Sequence, residues 1–187
     1  LGRVKFNDLI LTSLETLCVH SVKHIVIVCV CVFWRHALPF VCPRIWCDMD
    51  TQLAELITAC KDVVSKAYCP YSKFPVGCAV LTTENLIYSG CNVENMSYGL
   101  TICAERTAIT KAVSEGYKKF KYIAVTAKEF SDEYVTPCGA CCQFISEFGI
   151  DVKIVLCKYN SNDYCVKPFK EIFPGNFNPE QCTLKLT

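Results

Sequence analysis

The strongest constraint on this chain is where its imidazoles stop. All three histidines (His20, His24 and His36) precede Met49, as do both tryptophans (Trp34 and Trp46) and three of the four arginines. From Met49 onward there is no histidine, and Arg106 is the single arginine. Any chemistry in that stretch must rest on cysteine, carboxylate and one guanidinium. This excludes Ser-His-Asp and Cys-His catalysis and every histidine-ligated metal site there.

The break also organises the chain. With 187 residues, 52% of them hydrophobic, one domain with a sizeable core is expected. Residues 1 to 48 lack a repeat, a good capping sequence or a sustained helical period, and they read as an extension outside the catalytic fold. Met49 is the natural start of the domain, which runs from 49 to 187. A net charge of +1 offers no basic face for a phosphate backbone, and Lys118, Lys119 and Lys121 read as a solvated patch, so no nucleic-acid partner is expected. The apolar run Ile25 to Phe33 falls far short of the ~20 residues of a membrane span, and no membrane partner is expected. Sixteen cysteines without a clear signal peptide fit a reducing cytoplasm better than a disulfide framework.

From Asp50 the periodicity becomes regular. Leu53, Leu56, Ile57, Cys60, Val64 and Ala67 recur at helical spacing, so Thr51 to Ala67 is predicted to be an amphipathic helix, stopped by Pro70. Val76 to Thr82 and Leu86 to Ser89 read as a hairpin around Thr83-Glu-Asn85. A helix is expected over Cys103 to Glu115, ended by Gly116, and a strand over Tyr122 to Thr126. Pro137 opens a helix from Cys138 to about Phe148, closed by Gly149. Val152 to Cys157 and Tyr164 to Val166 read as strands, and Pro168 to Phe173 as a short helix. Strands interleaved with helices predict an α/β fold, a three-layer α/β/α sandwich around a mixed sheet.

Cys138-Gly-Ala-Cys141 follows Pro137. Roughly one such cysteine spacing is expected by chance in this composition, so the setting matters more than the spacing. A proline at the first turn places both thiols at a helix N-terminus, where free N–H groups and the dipole favour thiolate, and i,i+3 spacing puts them on one face. Cys103-Ala-Glu105 also stands at a helix start. If the two N-termini face each other, Cys103, Cys138 and Cys141 surround one zinc ion and leave a fourth position for water, the pattern of a catalytic rather than a structural site. Cys142 lies about 100° round the helix from Cys141 and points elsewhere. Glu105, beside the metal, then supplies the acid and base.

The sequence is identified as a member of a known family by four longer strings. Tyr68-Cys-Pro-Tyr-Ser-Lys-Phe-Pro-Val-Gly77, Gly90-Cys-Asn-Val-Glu-Asn95, Thr101-Ile-Cys-Ala-Glu-Arg-Thr-Ala-Ile109 and Pro137-Cys-Gly-Ala-Cys-Cys-Gln143 closely resemble cytidine deaminase of the small homotetrameric class. The likeness runs from about Thr51 to Glu180. It implies hydrolysis of cytidine and deoxycytidine in pyrimidine salvage, one zinc per chain, a small-molecule nucleoside substrate and a homotetramer. It further implies that Asn92 and Glu94 hydrogen-bond ribose hydroxyls, that Phe74 packs on the pyrimidine, that Ala104 offers backbone contacts to the base, and that Tyr71, Tyr98 and Phe177 help build the pocket, partly across subunits. Arg106 next to Glu105 is expected to donate hydrogen bonds to the thiolates and offset their charge. Cys142 occupies a position that is usually arginine in the family; the resemblance then implies intact zinc binding and the loss of a surface or intersubunit ion pair.

Rival readings are a closed zinc module without turnover, a polynucleotide cytosine deaminase and a deaminase of a nucleoside antibiotic. The first leaves Glu105 and the Asn92 to Asn95 string unexplained. The second wants basic surface to hold a strand, and one arginine offers little. Against the third stands the string Asn92-Val-Glu-Asn95, which resembles a ribose-binding segment.

Overall fold

The helical period that begins near Asp50 has no glycine or proline to interrupt it upstream until Pro43, and a proline suits a first helical turn. In a computed structural model, which describes residues 43–130 and 132–178, helix α1 accordingly spans Pro43–Asp62, starting eight residues before the predicted Thr51. It tightens into a 3₁₀ turn at Val63–Lys66 rather than continuing as α-helix to Ala67. The reading of residues 1 to 48 as an extension concerns, as far as residue 42, positions outside the described residues. From α1 onward the described residues lie almost wholly within one compact unit, Met49–Thr187.

Strands β1 (Val76–Thr82) and β2 (Ile87–Cys91) form the expected hairpin, pairing from Gly77 opposite Cys91 to Leu81 opposite Ile87. Helix α2 (Ala104–Ser114) leads to β3 (Phe120–Ala127), and helix α3 (Gly139–Ser146) leads to β4 (Lys153–Cys157). Strand β5 (Tyr164–Pro168) and the single-turn helix α4 (Phe169–Ile172) follow. The sheet order is β2-β1-β3-β4-β5, antiparallel except for the parallel pair β3 and β4. A parallel neighbour requires a crossover, which α3 supplies.

Alternation along the strands sorts two cores. Ala79 and Leu81 of β1, Ala124 of β3, and Val155 and Cys157 of β4 meet Leu56 and Cys60 of α1. Their neighbours Cys78, Val80, Ile123, Val125, Ile154 and Leu156 face α2, α3 and α4, through Ala108, Ile109, Ile145 and Phe169. This is the three-layer arrangement expected from the sequence, with helices on both faces of a mixed sheet. Each large apolar side chain fully buried this way contributes roughly 1.5–3 kcal/mol.

Two glycines set the position of α2. Gly90 brings β2 so close that a Cβ there would lie 2.4 Å from the Ala108 amide nitrogen. Only glycine permits that approach. Gly116, at φ +99°, ends the helix in the left-handed region, as the sequence indicated.

Candidate metal and nucleoside site

Both cysteine motifs start helices, but the first cysteine of each is the residue just outside the helix. Cys103 is the N-cap of α2 and Cys138 the N-cap of α3, both with extended backbone angles. Their carbonyls accept the first helical hydrogen bonds, from Thr107 N–H at 3.1 Å and Cys142 N–H at 2.8 Å. A cap residue points its side chain across the helix mouth, so the two thiols converge on the region where unpaired N–H groups favour negative charge.

The sulfurs of Cys103 and Cys138 are 4.0 Å apart, and with Cys141 the three lie within 4.8 Å of one another. Tetrahedral zinc with Zn–S bonds of ~2.3 Å needs sulfurs ~3.8 Å apart, so these three fit the metal with little adjustment. The cluster among the described residues has three members, which suits an ion that keeps one position open. Cys138 is exposed, Cys103 half-buried and Cys141 buried, so the cluster opens on one side. Cys142 turns away as expected: it is buried in the core beside α2, and its thiol lies 3.5 Å from the Pro137 carbonyl.

The charges are arranged around that cluster. The Cys141 thiol's hydrogen bond, with help from the Arg106 guanidinium and despite burial, pulls Cys103 down to about 5. The same contact with Cys103, together with burial, holds the Cys141 thiol well above its ordinary range. Arg106 donates from Nη2 to Cys103 Sγ at 3.5 Å and to the Thr101 carbonyl at 3.1 Å, while its Nε–H is buried without a hydrogen-bond partner. A guanidinium with a spare buried donor beside three sulfurs is a natural complement to an anionic metal cluster. Glu105 sits in the first turn of α2, 4% exposed, and burial pushes its carboxyl above the ordinary range, with the Cys103 charge adding to the effect. Ala104, between them, is fully buried.

A second group gathers around Val93. Its N–H and C=O pair with Ile102 at 2.9 Å each, and on either side of it Tyr68 N–H donates to Asn92 O at 3.0 Å and Glu94 N–H to Tyr68 O at 2.7 Å. These bridges hold the loop from Tyr68 to Pro75 and the approach to Cys103 against one central segment. Buried Asn92 accepts the Val76 N–H on Oδ1 at 2.9 Å and donates from Nδ2 to the Phe74 carbonyl at 2.9 Å. Glu94 accepts from Tyr71 N–H at 2.8 Å and from the Ser72 hydroxyl. Both side chains are therefore engaged in shaping the loop that carries Tyr71 and Phe74.

The rings of Tyr71 and Tyr98 meet edge to face at 5.8 Å, and those of Phe74 and Phe130 at 5.5 Å. A cavity of about 400 Å³ is lined by Tyr71, Ser72, Glu94, Tyr98 and Thr101. Thr101 joins the two groups, since its carbonyl also receives Arg106. Phe177 is placed differently, on the tail after α4. Its carbonyl accepts from Gln143 Nε2 at 2.7 Å and Ser146 Oγ at 3.0 Å, and its ring stays 65% exposed between the buried Asn176 and Asn178.

The structure thus brings Cys103, Cys138, Cys141, Glu105, Ala104 and Arg106 into one cluster and Asn92, Glu94, Tyr71, Phe74 and Tyr98 into the adjoining loops, and leaves Phe177 pointing outward. Sequence reasoning missed Ser72, Thr101 and Phe130. Ser72 stands inside the string Tyr68 to Gly77, but a lone serine carries no spacing signal.

Comparison with known proteins agrees with this geometry. The family profile described as "Cytidine and deoxycytidylate deaminase zinc-binding region" matches residues 50–157. A probable cytidine deaminase of Dictyostelium discoideum is 49% identical over 142 residues, covering 72% of this chain and 89% of that protein. Cytidine deaminase of Sporosarcina psychrophila is 44% identical over 132 residues, covering 71% of this chain and 94% of that one. The crystal structure of cytidine deaminase from Burkholderia pseudomallei superposes with a TM-score of 0.62 at 41% identity, covering 66% of this chain and 98% of that one.

Proposed function

The chain belongs to the cytidine and deoxycytidylate deaminase family, and we propose that it hydrolyses cytidine and deoxycytidine to uridine and deoxyuridine with release of ammonia, as an enzyme of pyrimidine salvage. The observation that carries this reading is the convergence of Cys103, Cys138 and Cys141 beside a buried carboxylate, Glu105.

Those three thiolates hold one zinc per chain. When bound, zinc supplies the Lewis acidity that yields a nucleophile from water at neutral pH. Glu105 takes one proton from the attacking water and delivers it to the ring nitrogen, then takes the second proton from the hydroxyl now on the ring carbon and passes it to the amine, which leaves as ammonia. Its buried setting, which raises its proton affinity, suits a group that must both accept and give. Arg106 offsets the charge of three thiolates through its contact with Cys103.

On the substrate side, Glu94 and Asn92 meet the ribose, Phe74 packs on the base, and the Ala104 backbone contacts it. Tyr71 and Tyr98 wall the sugar. The acceptor-rich, cation-free lining of the cavity supports a neutral nucleoside here. Exposed Met96, Tyr98, Leu100 and Phe177, at 65% exposure or more, support assembly into a homotetramer in which Phe177 of one copy completes another's pocket. The described cysteines are free thiols, which supports a reducing cytoplasmic setting. No described helix is long and apolar enough to cross a membrane. Residues 1 to 48 lie outside the catalytic domain, a reading supported by the family match beginning at residue 50.

The direct test is loss of cytidine absorbance with the full chain, zinc-loaded and zinc-stripped. Zinc-dependent turnover is expected. A zinc-loaded protein without turnover on either nucleoside would overturn the assignment.

A further inference from the structure

Ser72 has a hydroxyl engaged on both sides. Its oxygen accepts the Phe74 N–H at 3.1 Å, and its single proton goes to Glu94 Oε1. The Ser72 backbone N–H also reaches that carboxylate, at 3.4 Å to Oε1 and 3.3 Å to Oε2, and Tyr71 N–H donates to Oε2 at 2.8 Å. The direction of each bond is forced: Phe74 N–H can only donate, so the hydroxyl must give its proton to the carboxylate, which can only accept. One side chain therefore ties the residue read as the sugar's acceptor to the residue read as the base's aromatic wall. Phe74 is fixed at its other end as well, where its carbonyl accepts from Asn92.

We propose that Ser72 is a positioning residue for substrate selection: by holding the Glu94 carboxylate and the Phe74 backbone in one fixed relation, it makes the site demand a nucleoside that carries the sugar hydroxyl Glu94 accepts. The inference rests on the roles given to Glu94 and Phe74 above. The donors around Glu94, the Ser72 hydroxyl first, hold its carboxyl below the usual carboxylate range, so it stays an acceptor. About four lone-pair directions belong to a carboxylate, and the donors from Tyr71 and Ser72 leave at least one for a ligand. A substrate hydroxyl pointed there gains a charge-assisted hydrogen bond, and an analogue without it leaves an oriented charge unmatched. Cytidine and deoxycytidine share only their 3′ and 5′ hydroxyls, so the hydroxyl in question is one of those two. With alanine at position 72, the carboxylate loses its hydroxyl partner and gains rotational freedom. It then accepts the sugar less selectively, while the metal cluster is untouched.

The experiment measures kcat/KM on cytidine, 3′-deoxycytidine and 5′-deoxycytidine for the wild-type chain, Ser72→Ala and Ser72→Thr. The wild type is expected to prefer cytidine over one of the two analogues by ~10-fold or more. Ser72→Ala is expected to shrink that ratio ~5-fold or more, mainly through a raised KM for cytidine, and Ser72→Thr, which keeps the hydroxyl, to restore most of it. Because each ratio comes from one preparation, a reduced folded fraction cancels out. Ser72→Ala that slows all three nucleosides equally, or leaves the ratio at its wild-type value, overturns the proposal. A wild type that does not discriminate either analogue removes its premise, that Glu94 accepts a sugar hydroxyl. A wild type without cytidine turnover instead defeats the functional reading itself.

Discussion

Replacing Gly90 by alanine adds one methyl group where β2 touches α2. That methyl would sit 2.4 Å from the Ala108 nitrogen and 2.9 Å from both the carbonyl carbon and the Cβ of Thr107. Ordinary van der Waals contact begins at 3.4 Å, so the helix must retreat by about 1 Å from the strand. The nearest obstacle is helical backbone, which cannot yield by a side-chain rotation. Overpacking of this kind costs ~1–3 kcal/mol, or ~3 to 10 °C in Tm for a domain of this size. The same retreat shifts the N-terminus of α2, with Cys103 and Glu105, relative to Cys138 and Cys141 at the start of α3. Misplacing reacting groups by ~1 Å costs on the order of 10²-fold in rate. Differential scanning calorimetry and kcat on cytidine, measured on zinc-loaded Gly90→Ala, should show both losses together. Wild-type Tm and kcat would refute the reasoning, because they would mean that α2 does not lean on β2 and does not owe its position to that contact.

Three further outcomes are expected. Arg106→Gln should lower zinc affinity or turnover ~10 to 100-fold, the usual scale for losing a partner of a metal ligand, as read by competition with a chelator and by kcat. Cys138→Ala should lose both zinc and activity, and full metal occupancy with normal turnover would remove this thiol from the ligand set. Removing residues 1 to 48 should leave kcat and Tm nearly unchanged, even though the cut falls inside α1, because Leu53, Leu56, Ile57 and Cys60, which pack that helix on the sheet, all lie beyond the cut. An inactive or insoluble truncated protein would place the segment in the domain.

Much of the fold was legible because the sequence punctuates it locally. Gly116 and Gly149, both with positive φ, stop α2 and α3 close to where glycine placement indicated, and the hairpin turn falls at Thr83 to Asn85. Helix α1 starts at Pro43 rather than Thr51: the apolar period marks only the stretch from Leu53 on, while no glycine or proline between Pro43 and Thr51 interrupts a helix. Strand β3 starts at Phe120, two residues before Tyr122, because its register is set by β1, whose pairing shifts between Leu81 and Thr82. No local pattern reports that kind of partner.

The site divides along the same line. Cys103, Cys138 and Cys141 converge as expected, because Cys138 and Cys141 carry a spacing and both motifs stand at a helix start, so that the thiols meet once the two N-termini face each other; Glu105 was readable from its place beside Cys103. What the sequence did not show is that Cys103 and Cys138 reach the cluster as N-caps, or that Asn92 and Glu94 spend their hydrogen bonds on the loop bearing Tyr71 and Phe74. The second of these depends on the bridge from Tyr68 through Val93 to Ile102, which joins segments far apart in the chain. Ser72 and Phe130 matter only through such neighbours, and neither has a motif of its own.

The central claim is that three thiolates hold a zinc ion and that Glu105 moves the protons. Glu105→Gln tests it most directly, since the amide keeps the shape of the side chain but cannot shuttle a proton. Zinc content by metal analysis and kcat on cytidine are measured on the same preparation. About one zinc per chain is expected to be retained, with turnover lowered at least ~10²-fold. A Glu105→Gln protein that retains its zinc and turns over cytidine at the wild-type rate would contradict it.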